Sequence, residues 1–242
     1  KTFVPFLFLA LFPLASNGQV LSLDINNAPN EFTNHIFQIV AVITVLSLAP
    51  SLLILTTSFT RFVIVFSFLR NALGTQQSPP NMVLISLALF LTFFIMNPVF
   101  KQSYEQGIKP YMDNQLTLEE ALPPITKPFH AFMIQHTRPK DIALFSDITQ
   151  EAPKDLKDVS FSTLVPAFVI SELRKAFEIG FLLFIPFLVI DLVVASVLMS
   201  MGMMMIPPVM ISLPFKIIFF VLVDGWYMVV GSLIKGFEIV PT

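Results

Sequence analysis

The sequence predicts an all-α, integral-membrane type of fold made of helical hairpins, and two observations predict it. Hydrophobic residues make up 55% of the 242 and charged residues only 12%, about half the charged share of an average soluble domain. Mean hydropathy is +0.79, more apolar side chain than a soluble fold of this length can hide, so the excess faces lipid or other subunits. The apolar residues also gather into four segments, with one polar stretch between the second and the third.

Residues 1–18 combine Lys1, an apolar run from Phe3 to Leu14, and small residues at Ser16 and Gly18. That is the pattern of a secretory signal peptide cleaved after Gly18; a retained anchor helix is the plainer reading. Residues 19–100 are expected to form a first helical hairpin. Its first segment, Ile36 to Leu55, is uncharged and long enough to cross a bilayer. Pro50 is expected to kink it, with one bent helix continuing to Leu73 and stopping at Gly74. Its second segment, Met82 to Phe100, follows Ser78-Pro79-Pro80, read as an N-cap with prolines in the first turn.

Residues 101–160 carry seven basic and nine acidic residues, over half of the charges in the chain. They are expected to form a small water-exposed domain. Leu116–Ala121 and Pro128–His136 would be short helices, and Pro139–Ser160 would be partly disordered. Residues 161–242 are expected to form a second hairpin. An amphipathic stretch, Ser162–Phe177, leads into segment three, Ile179–Met199, interrupted by Pro186 and Asp191. Segment four, Ile206–Ile234, carries Pro207, Pro208, Pro214, Lys216 and Asp224, and is expected to be kinked or in two parts. Arg61 and Arg70 place the first hairpin's link in the cytoplasm, and so the polar region outside. Arg174 and Lys175, flanking segment three on that outer side, run against the trend.

Several chemistries are excluded or unsupported. The absence of cysteine excludes disulfides, thiolate metal sites and cysteine nucleophiles. A net charge of −2 supplies no basic field for nucleic acid. His130 and His136 are six apart and His35 is remote, a poor metal spacing. The eight glycines form no phosphate loop. No catalytic residue, metal site or cofactor site is visible, and Ser171–Lys175 reads as a helix start with a solvated face. Against 27 Phe there are one Trp and three Tyr, a thin interfacial belt suggesting that the apolar helices pack largely on protein.

Two constellations remain. Met199, Met201, Met203, Met204, Met205 and Met210 are six of the 11 methionines and surround Gly202. Flexible thioethers can fill an irregular helix junction or, repeated round an axis, form a soft apolar constriction; thioether metal binding is a third reading. Asp191, Lys216 and Asp224 lie inside apolar segments, where a charge costs about 2.5–3.5 kcal/mol on insertion scales. They are read either as structural pairs or as an ion relay.

Three stretches carry a resemblance. Thr57-Ser58-Phe59-Thr60-Arg61, Leu69-Arg70-Asn71-Ala72-Leu73-Gly74-Thr75 with Pro79-Pro80-Asn81, and Leu87–Met96 resemble the FliP family of type III export gate proteins. So do Ile190–Ser196 running into Met201–Met205, Ile211–Lys216, and Asp224-Gly225-Trp226. The likeness covers about Ser51–Phe100 and Phe161–Phe237, and is closer to flagellar members than to virulence injectisome ones. It implies a non-enzymatic core subunit of the flagellar export gate in the bacterial inner membrane and basal body. Such a subunit would assemble as several copies, a pentamer by resemblance, with the sister subunits FliQ and FliR and other membrane proteins of the export apparatus. The assembly would pass unfolded flagellar proteins. The resemblance also implies that Met201, Met203, Met204 and Met205 form a pore gasket. A secondary transporter or channel using Asp191, Lys216 and Asp224 is the rival reading, and a scaffold with no pore contact is a third.

Overall fold

The computed structural model describes residues 29–150, 155, 158–203 and 206–237, and among them the regular structure is entirely helical. The expected signal peptide, residues 1–18, lies outside the described residues. The chain divides into two units, Lys1–Pro50 and Ser51–Thr242.

In the first unit the described residues are helical and belong to α1 (Pro29–Leu55). Ile36, Phe37, Val40, Val42, Ile43 and Leu48 are exposed. The helix does not bend on into one piece to Leu73, as the apolar pattern had suggested. It runs past Pro50 and ends at Leu55, and α2 (Phe59–Leu73) is separate. Side-chain hydroxyls bond to the backbone around the break. Thr56 Oγ1 donates to the Leu52 carbonyl and Thr57 Oγ1 to that of Ile54, while the Thr57 hydroxyl accepts from the Phe59 N–H.

The second unit is built round α2. Phe62, Val65, Phe66, Leu69 and Ala72 recur every three to four residues and are almost wholly buried, one stripe of a helix that packs on α3 (Asn81–Ser103) and α7 (Phe161–Ser200). Gly74 ends α2 at φ 78°, its N–H bonded to the Asn71 carbonyl; a left-handed residue here favours glycine. Ser78 is not the N-cap of α3. The helix begins at Asn81, with Pro80 extended before it and the Pro80 carbonyl accepting from the Val83 and Leu84 N–H groups. Arg70 Nη1 donates to Asn81 Oδ1 at 2.5 Å and to the Pro79 carbonyl, tying the short link closed.

The polar stretch is more ordered than its composition implied. From α3 the chain continues through a π-helical turn (Tyr104–Ile108) into α4 (Lys109–Met112). Then α5 runs from Leu118 to His136 in one piece, containing Pro123, Pro124 and Pro128. Thr117 and Glu120 make a reciprocal capping box at its start. α6 (Pro139–Thr149) is a helix where disorder was expected. Both elements pack on α7, and α5 also packs on α3. Phe132, Met133 and Ile142 are thereby buried, which offsets the ordering entropy that the polar composition alone could not.

α7 is a single 40-residue helix continuous through Pro166, Pro186 and Asp191, not an amphipathic helix followed by an interrupted one. Its first half buries Leu164, Ala167, Phe168 and Ala176. Its second half is largely bare, with Phe181, Leu182, Leu188, Leu192 and Val193 exposed. The last segment is in two parts, α8 (Pro208–Leu222) and α9 (Gly225–Lys235), bent by 62°. Among the described residues, Asn81–Met112 and Phe161–Ser200 are long and apolar enough to cross a membrane, and α8 with α9 makes a third span if the bent pair counts as one; these hold the second, third and fourth of the four apolar segments expected. The first of those four lies within α1.

Candidate functional site

The methionine loop is the tip of the α7–α8 hairpin. Gly202 sits at φ 72°; its N–H bonds to the Met199 carbonyl, and the Met203 N–H reaches back to that of Leu198. These two bonds form a Schellman motif, which satisfies the last carbonyls of α7 without a side chain. Met201 and Met203 are left 61% and 44% exposed, and among the described residues nothing stands within 4 Å of where a Cβ on Gly202 would be. Pro207 and Pro208 then open α8. Met204 and Met205 lie outside the described residues.

Of the three charges in apolar segments, two come together. Lys216 Nζ lies 2.7 Å from Asp191 Oδ2, with side-chain exposures of 5% and 29%. Ser212 Oγ donates to Asp191 Oδ1 at 2.5 Å, and Lys216 Nζ donates to the Ala72 carbonyl at 3.2 Å. The ammonium thus joins α7 and α8 to the C-terminal end of α2, where the helix dipole favours a cation. Asp224 is elsewhere, in the α8–α9 bend, with φ 50° and no side-chain cap bond.

A second charged node was misread as a solvated helix start. Glu172 is in mid-helix and fully buried. Arg61 Nε and Nη2 grip its two oxygens at 2.7 and 2.5 Å, a bidentate pair. Arg61 Nη1 donates to the Gly236 carbonyl at 3.2 Å, and its guanidinium carbon lies 3.6 Å from the centre of the Phe237 ring. Lys175 approaches Glu172 to 3.5 Å and donates to the His136 carbonyl at 2.6 Å. Beside it, Asp141 accepts from Ser171 Oγ at 2.5 Å and pairs with Arg138. Burial raises the Asp141 pKa, but these hydrogen bonds outweigh it and hold the carboxyl below its ordinary value. His136 is buried against Phe132 and Phe237. Desolvation first, and then the Arg61 and Lys175 charges, lower its pKa to about 4. A signal was present in the sequence: Leu164, Phe168 and Glu172 stand four apart, so Glu172 continues the buried stripe of α7.

Nothing in these nodes forms a group of three His, Cys, Asp or Glu able to hold a metal ion among the described residues. Their chemistry is mutual neutralisation, which leaves the exposed methionine tip as the uncompensated feature. Residues 42–233 match the model of the FliP family. The chain belongs to the FliP family. Its similarity to curated FliP proteins extends over nearly the whole length. It is 59% identical over 201 residues to the flagellar biosynthetic protein FliP of Bacillus subtilis, covering 83% of this chain and 91% of that one. It is 54% identical over 231 residues to the FliP of Caulobacter vibrioides, covering 95% and 86%. It is 46% identical over 235 residues to the FliP of Agrobacterium fabrum, covering 95% and 96%. The FliP match spans both charged nodes and the methionine loop.

Proposed function

We propose that this chain is a core subunit of the flagellar type III protein export gate. With further copies of itself and the sister subunits FliQ and FliR, it forms a pore in the bacterial cytoplasmic membrane, at the flagellar basal body, for unfolded flagellar proteins. Its four apolar segments build the wall, and residues 101–160 lie on the extracytoplasmic side. Met201, Met203, Met204 and Met205 form the gasket. The observation that carries this reading is the position of Met201 and Met203, exposed at the tip of the α7–α8 hairpin, where backbone bonds close the end of α7. Unbranched thioethers repeated around an axis seal against ions yet yield to chains of any sequence. Charged side chains there would hydrate the closed pore.

The transporter reading is less well supported, because Asp191 and Lys216 already neutralise each other and Asp224 stands apart from them. The test is small-ion conductance of membranes holding the co-expressed complex, wild type against the variant with Met201, Met203, Met204 and Met205 all changed to Ala. A leak confined to the variant, with the complex intact, is the expected outcome. An equally tight variant removes the gasket and leaves a scaffold.

A further inference from the structure

The bend between α8 and α9 has no proline to cause it. Pro208 to Lys235 is one apolar run, broken only at Val223 and Asp224. Asp224 adopts φ 50° and ψ 52°, and its side chain makes no capping bond in return. A left-handed conformation costs less at Asp than at most residues with a Cβ, and Asp-Gly is a turn-forming pair, so the local sequence permits the bend without fixing its angle. Tertiary contacts hold it at both ends of α9. At the near end the Phe220 ring lies against Gly225, so closely that a Cβ there would stand 2.1 Å from a ring atom, and Trp226 meets the edges of both Phe220 and Phe66. At the far end Arg61 holds the Gly236 carbonyl and the Phe237 ring. Between these grips α9 forms one wall of an apolar cleft of about 320 Å³, faced by Leu69 of α2 and Phe187 of α7.

We propose that α9 is a strap, hinged at Asp224–Gly225 and latched by Arg61, which closes this cleft and swings out by straightening onto α8. Two features make both states accessible. Straightening releases Asp224 from its left-handed conformation, and opening the latch breaks one hydrogen bond and withdraws the Phe237 ring from Phe62 and Phe132, while the helical contacts between α2 and α7 are kept. Straightening exchanges the burial of Val229 and Leu233 for a continuous helix and an open cleft.

The absence of cysteine allows spin labels to be placed at Met210→Cys and Lys235→Cys of the full chain, both exposed, and their separation to be read by pulsed electron resonance. At 1.5 Å per residue and a 62° bend, the bent form places these positions about 32 Å apart and the straight form about 38 Å apart. The wild-type chain is expected to give the shorter distance. Gly225→Ala, which drives a methyl into Phe220, is expected to give the longer one. Phe220→Ala with Gly225→Ala, which restores the space, returns it to the shorter. Arg61→Met with Glu172→Leu, which opens the latch without stranding a carboxylate, also gives the longer one, and this arm decides alone if Gly225→Ala does not accumulate. The shorter distance in every variant means a fixed elbow and overturns the strap. A broad distribution with no maximum near the longer distance, meaning that α9 unravels, overturns it too.

Discussion

Replacing Glu172 by Leu removes the carboxylate from a side-chain site that is 0% exposed and leaves an Arg61 side chain that is 3% exposed. Breaking a buried ion pair from one side costs about 3–5 kcal/mol, because a desolvated charge is left behind. Arg61→Met costs a similar amount, since Lys175 at 3.5 Å is a weaker partner for Glu172. Removing both charges together is far milder: apolar replacement of a whole buried pair is often neutral or better. In this protein the guanidinium also serves the Gly236 carbonyl and Phe237, which adds back about 1–3 kcal/mol for the orphaned acceptor. The double variant is therefore expected to lie well above the sum of the singles, with a coupling of about 3 kcal/mol, the upper end for residues in contact. The assay is reversible denaturant unfolding of the detergent-solubilised chain followed by helical circular dichroism, for the wild type and all three variants. Additive losses, with coupling under about 0.5 kcal/mol, would refute the claim that this pair acts as one buried unit.

Three other outcomes are expected. His136 has its folded-state pKa lowered from 6.5 to about 4, so the unfolded chain takes up a proton that the native chain refuses; the groups bearing on the ring are Arg61, Lys175 and Glu172. Stability is full above pH 6.5 and falls as pH drops toward 4, by up to about 3 kcal/mol, and His136→Gln should flatten that slope in denaturant titrations at pH 7 and pH 5. Gly107→Ala would place a Cβ 2.4 Å from Ile125 Cγ1 and 2.9 Å from its backbone nitrogen, an overpacking cost of about 1–3 kcal/mol measurable as a lowered unfolding midpoint. Finally, Lys216→Met should weaken assembly of the co-purified complex, while Asp191→Leu with Lys216→Met restores both assembly and export; a fully assembled but inactive double variant would favour a relay.

The all-helical class was legible because composition and apolar runs are sums over many residues, insensitive to local detail. The two-part form of the last segment was legible from its length and its inner charges, Lys216 and Asp224, although the prolines that also suggested it lie at the start of α8 and within it, not at the bend. Element ends were not. Pro186 looked like an interruption, yet it sits inside α7, while the helix expected to run bent through Pro50 to Leu73 instead breaks at Thr56–Ser58, where no apolar signature marks it. Asp191 and Lys216 drew notice because each is a charge alone in an apolar run. Glu172 escaped it because Arg174, Lys175 and Glu178 surround it in sequence with the look of a wet surface. Its spacing from Leu164 and Phe168 puts it on the buried stripe of α7, but its partner lies 111 residues away, and no local pattern contains that distance.

Glu172, at the clamped part of α7, and Met201, at its tip, lie along one continuous helix, about 43 Å apart at 1.5 Å per residue. Such a rod is a lever arm. A tilt of about 5° at the base displaces the tip by about 4 Å, enough to carry one methionine to where its neighbour stood. The angular tolerance of the tip is thus set by the stiffness of the distant clamp, and a bidentate charge pair resists twisting about its own plane in a way that greasy packing does not. In the proposed assembly, a loosened clamp would therefore show itself at the far end of α7, as a tip out of line with that of the next copy.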